Sequence, residues 1–126
     1  MSWNRTDAVK AIVQALSANI NAAWIFDKTP QTINPPAVVV SRPDTINYSF
    51  FALGIDEATI PVVCVGAADG EDTVDALITA VRQSFPDPSL GGIVSSCVPS
   101  SERGWRNASI AGIDVLQAEV VLTVQM

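Results

Sequence analysis

The chain has 126 residues, 48% of them hydrophobic and 16% charged. That is one domain's worth, enough to bury roughly two-thirds of the unfolded surface, and too apolar for a disordered tail. Thirteen acids against seven Lys and Arg give a net charge of −6, and the scattered cations form no basic stripe of the kind a nucleic-acid grip needs.

The opening "MSWNRTDAVKAIVQ" is polar and then amphipathic, unlike a secretory signal. Val9, Ile12, Val13, Leu16 and Ile20 recur at helical spacing, so a first helix is expected over 6–23, with Thr6 and Asp7 at its start. "AWIFD" reads as a short strand and "KTPQTINPP" as the loop after it. Pro35 and Pro36 cannot donate backbone hydrogen bonds, so they favour an extended lead into the run from Ala37 to Ser41, which Pro43 ends. A strand limited at both ends in this way suits a place near a sheet edge. "INYSFFALG" is expected as a further strand or the arm of a long hairpin, and "IPVVCVGAA" as a buried strand.

Asp69 to Asp75 load the start of a second helix with acids, where the helix dipole favours them. Val74, Leu77, Ile78, Val81 and Phe85 form its apolar stripe and Pro86 follows it. The remainder reads as two or three antiparallel strands, with a turn around Arg103–Asn107. In the last strand Leu116, Ala118, Val120, Leu122 and Val124 alternate with Gln117, Glu119, Thr123 and Gln125, so one face is expected to be apolar and the other largely wet. The order αββββαβββ predicts a single α+β domain over 1–126, a two-layer sandwich of a mixed, mostly antiparallel sheet with two helices on one face.

Catalytic chemistry finds little to stand on. There is no histidine, the commonest general base and metal ligand. Cys64 and Cys97 are too few and too far apart in sequence for a zinc site; two buried thiols of an intracellular protein are expected, with a disulfide between them as the alternative. "GAADGED" lies between a strand and a helix but lacks the Gly-Lys-Ser/Thr of a phosphate loop, and its acids do not follow calcium-loop spacing. No apolar run approaches the ~18 residues of a membrane helix. The expectation is a non-enzyme without metal or cofactor. Trp105, between Arg103 and Arg106, is of the residue type that anchors buried contacts. Phe50 and Phe51 must point to opposite faces of a strand, so one is available to a partner.

The ordering of "INPPAVVV", "NYSFFALG", "PVVCVGAADGEDTVDALI", "SLGG" and the terminal "GIDVLQAEVVLTVQM" resembles the tail terminator proteins of long, non-contractile-tailed bacteriophages, especially those infecting actinobacteria. The resemblance covers nearly the whole chain on soft motifs. It implies a structural virion protein, assembled in the host cytoplasm, that forms a homohexameric ring at the head-proximal end of the tail. Such a ring caps the tail tube, ends its polymerisation and joins it to the head–tail connector or stopper, while genomic DNA passes through its lumen without specific binding. The partners implied are further copies of the chain, the major tail tube protein and the connector; no membrane is involved. The family has no catalytic residues to carry over.

For subunit or tube contacts the candidates are Tyr48, Phe50, Phe51, Ile55, Arg103, Trp105, Arg106 and Asn107. The alternatives are a head–tail stopper or adaptor of the same neck, or a small ligand-binding α+β module built on carboxylates such as Asp44, Asp56, Glu57, Asp114 and Glu119.

Overall fold

The computed structural model describes residues 4–28, 32–48, 56–110 and 112–125. Helix α1 spans Arg5–Leu16 and α2 spans Glu71–Arg82. The strands are β1 Ile25–Phe26, β2 Ala37–Val40, β3 Thr45–Asn47, β4 Glu57–Ala67, β5 Ser96–Ile110 and β6 Ile113–Gln125. They form one six-stranded sheet in the order β1-β2-β4-β6-β5, with β3 pairing to β4. Because β6 pairs with β4 along its whole length, β3 lies on the β2 side. Among the described residues only β1 and β2 run parallel. Both helices pack on the same face, so the fold is the two-layer α+β sandwich that the hydrophobic pattern predicts.

Alternation builds the core. The even-numbered residues of β6 from Leu116 to Val124 meet Ala58, Ile60, Val62 and Cys64 of β4 on the helix side, together with Val38 and Val40 of β2. From the helices come Val9, Ile12 and Leu16, and the α2 stripe Val74, Leu77, Ile78 and Val81, with Phe85 just beyond it. On the other face a smaller cluster gathers Ile33, Ala37, Val65 and Val115, so the segment before β2 covers one end of that face.

The helices end where local chemistry changes. Asn4, two residues earlier than expected, caps α1: its side chain accepts from the Thr6 and Asp7 amides at 2.9 and 3.1 Å. The helix stops at Leu16, not at residue 23. Asn21 competes for backbone bonds there, its side chain accepting from the Ala23 amide at 3.0 Å to start a 3₁₀ turn over Ala22–Trp24, while the Asn19 side-chain amide donates across to Gln83 O at 3.2 Å. Ile20 still reaches the core.

Pro61 sits inside the central strand β4, where a missing N–H ordinarily breaks a ladder. Its carbonyl accepts from the Ser41 amide at 3.0 Å, and that of Thr59 accepts from the Asp44 amide at 2.7 Å. The proline therefore falls at the gap between β2 and β3, where no strand asks for its donor.

The chain after α2 contains two long strands joined through residues 111 and 112, with Gly112 at φ 78. The turn expected around Arg103–Asn107 is instead the middle of β5. Gly104, in a polar stretch, has the composition of a turn but forms a bulge.

Cys64 and Cys97 are buried free thiols on the helix side of the sheet. Burial pushes both up to about 12, with the charge of Glu102 a smaller contribution at Cys64. A raised native value means stability that is complete below the unfolded thiol's value near 9 and is lost as pH climbs from there towards 12. The expected result is a denaturation midpoint that falls from pH 9 to 11, and falls less in Cys64→Ala. At pH 8 a thiol reagent should modify the native chain far more slowly than the unfolded chain; equal rates would contradict the burial.

Candidate interaction surface

Among the described residues strand β5 is an outer edge of the sheet and pairs only with β6. Its residues from Ser100 to Asn107 are all exposed. Two register shifts, between Pro99 and Ser101 and between Arg103 and Arg106, interrupt its ladder. At the second, Gly104 adopts φ 74, the left-handed conformation that glycine takes without a Cβ penalty.

The consequence is a choice of faces. Glu102 stands opposite Val120 on the helix side, and Arg103 opposite Glu119 on the outer side. An uninterrupted strand would next send Trp105 outward. With one extra residue it is Arg106 that comes opposite Gln117, and both arginines share the outer face.

There Arg103 Nε donates to Glu119 Oε2 at 2.9 Å and its Nη2 lies 3.7 Å from Asp44 Oδ2. The bond to Glu119, then the charges of Glu119 and Asp44, hold this guanidinium above its ordinary pKa. With the Gln117 amide turned oxygen-first, it accepts from Arg106 Nε and Nη2 at 3.2 and 3.1 Å. That pairing accounts for a glutamine left only 6% exposed on a face expected to be wet.

Trp105, 43% exposed, donates from Nε1 to Glu102 Oε2 at 3.2 Å. This bond holds the indole towards the helix side. Replacing Gly104 by alanine places a Cβ in the left-handed region, at a cost of about 1–2 kcal/mol. A urea titration should show that loss; an unchanged midpoint would mean that the bulge can be expelled without harm.

The other sequence candidates lie elsewhere. Asn107 is opposite Leu116, on the helix side of β5, and exposed. Tyr48 follows β3 at the far end of the sheet, where its hydroxyl accepts from Arg5 Nη2 at 3.5 Å. Phe50, Phe51 and Ile55 lie outside the described residues. Arg103, Trp105, Arg106 and Asn107 are thus together on one strand, while Tyr48 stands apart.

A second surface went unremarked in the sequence. Between the 3₁₀ turn and α2 runs a groove of about 560 Å³, lined by Ile20, Trp24, Pro36, Asp72, Ala76 and Leu77 among others. Trp24 is 38% exposed there. The sequence pattern assigned Trp24 to a short strand; its place in the 3₁₀ turn, set by Asn21, is what turns it towards α2. A smaller hollow of about 280 Å³ lies beside β5, lined by Arg82, Pro99, Ser100, Glu102 and Val120.

Among the described residues no three His, Cys, Asp or Glu side chains gather as a metal site, and no helix is long and apolar enough to cross a membrane. The surface is one of aromatic rings, paired charges and an unpaired strand edge. Compared with protein-family models and with curated proteins, the chain matches none.

Proposed function

We propose that this chain is a structural protein of a phage tail, a terminator-like subunit that assembles into a six-fold ring capping the head-proximal end of the tail tube. The observation that carries the proposal is β5: fifteen residues of edge strand, with an exposed tryptophan between two arginines and one whole side of its backbone outside the ladder. Long unpaired edges are templates for association unless they are managed. Here the two bulges and the charges of Glu102, Arg103 and Arg106 discourage indiscriminate strand pairing, while Trp105 offers an anchor to a chosen neighbour.

Two further features support the same reading. The sequence order resembles tail terminators over nearly its full length, and helices on one face of a sheet suit that family better than an all-β stopper or a mostly helical adaptor. The net charge of −6, multiplied around a ring, would repel DNA phosphates and let a genome slide through. In virions the protein would then sit between the tube and the head–tail connector, touching both and binding no cofactor.

The test is to add the purified protein to polymerising tail tube subunits of the parent phage. Tubes that stop growing and carry the protein at one end are the expected result. Tubes that lengthen as they do without it would overturn the proposal.

A further inference from the structure

The register of the sheet relates Trp105 to the groove at Trp24. Following the pairing row through Arg103 leads to Glu119, Val63, Val39 and then Phe26 on β1; the row through Arg106 leads to Gln117, Val65 and Ala37. Trp105, in the bulge between those rows, is level with Val38 and Ile25, and hence with the segment 24–25 and with Pro36–Ala37 at the other side of the sheet. Four inter-strand spacings of about 4.8 Å separate the two, ~19 Å across the sheet. The indole also leans to the helix side through Glu102, and the groove opens on that side, between the 3₁₀ turn and α2. A sideways displacement across the sheet, with little slip along the strands, therefore brings the tryptophan of one copy towards the groove of another.

Charge matches in the same sense. On the helix side Arg82 lies beside β5, while Arg103 and Arg106 are turned to the outer face. Asp72, exposed in the first turn of α2, lines the groove. The two surfaces differ in shape, a projecting ring and a groove, so they complement each other and not themselves. Such a pair gives head-to-tail association, which closes into a ring when the rotation between copies allows it.

We infer that the groove between Trp24 and α2 is the docking site for Trp105 of a second copy of this chain. This rests on the ring-forming reading and names its contact. The apolar walls receive the indole, and Asp72 among them favours approach of the edge beside which Arg82 lies.

Two substitutions at exposed positions separate the two halves of the junction. Trp105→Ala removes the anchor and leaves the groove; Ala76→Arg fills the groove with a long cation and leaves the anchor. Thermal unfolding of each, compared with the parent, confirms that both fold. By native mass over a concentration series, the parent chain should assemble, and each variant should associate at least about 30-fold more weakly, as for a buried hot spot.

An equimolar mixture of the two variants should form one-to-one complexes and nothing larger. Ala76→Arg still supplies a tryptophan and Trp105→Ala still supplies a groove, which makes a single intact junction. Variants that assemble like the parent would overturn this contact while leaving a ring in place. Variants that dissociate but fail to pair in the mixture would overturn the groove as the site. A parent chain that stays monomeric at every concentration would overturn the self-docking, and arrest of tube growth would then judge the ring on its own.

Discussion

Leu122→Ala should destabilise the protein by about 2–5 kcal/mol. Leu122, in the second half of β6, is 0% exposed. Ile60 of β4 flanks it on one side and Pro99 of β5 on the other. Both neighbours are fixed by ladders and the helix layer lies above, so the walls of the resulting cavity cannot close in. Lost transfer energy and residual void then add. Val98→Ala on β5 is the internal comparison: its side chain is 42% exposed, and a change within about 0.5 kcal/mol is expected. The measurement is a urea titration of both, reading the midpoint at constant slope. Equal effects at the two sites would contradict the placement of β6 at the heart of the sheet.

Gly66→Ala should cost about 1–3 kcal/mol although it adds a single methyl group. A Cβ at this position would come within 2.8 Å of Val74 Cγ2 and 3.1 Å of the Gly70 carbonyl oxygen. The neighbours have little room to give. Only residues 68–70 join β4 to α2, and the Gly70 amide donates to Ala67 O at 2.8 Å while Gly70 O accepts from the Val74 amide at 3.0 Å. The glycine thus sets how closely α2 lies on β4. Pairing Gly66→Ala with Val74→Ala should cost less than the sum of the two single losses, because the second change removes the atom the first one strikes. Strict additivity would place the strain elsewhere.

Much of this architecture can be read from residue order, because its signals are periodic. The α2 stripe and the alternation of β6 are repeated over many residues, and each repeat reinforces the others. The elements that depart from expectation are set by single residues. One amide side chain, Asn21, helps to turn a helix of apparent length 18 into α1 plus a 3₁₀ turn. One glycine in a polar run, Gly104, has the same composition whether it makes a turn or a bulge, and only pairing across to β6 decides between them. The grouping of Arg103, Trp105, Arg106 and Asn107 follows from residue chemistry, Trp beside Arg, and from their adjacency in sequence. Their distribution over two faces of β5 does not, because it depends on that one inserted residue.

The groove at Trp24 was not legible for a related reason. Its walls come from residues 19–24, Pro36 and α2, segments far apart in sequence that carry no shared pattern. Tyr48 shows the converse: aromatic character placed it among the interface candidates, but the register of β3 sets it at the other end of the sheet from Trp105. Glu119 was expected on a wet face, and it does stand there, but as the partner of Arg103.

The account turns on self-assembly through two unlike surfaces. Its most direct test is the native mass of the purified chain over a concentration series, with electron micrographs of the same samples. Rings of six-fold symmetry, growing in proportion with concentration and lost in Trp105→Ala, are the predicted result. A closed two-fold dimer that survives this substitution would contradict it, since a self-complementary patch would then hold the copies together.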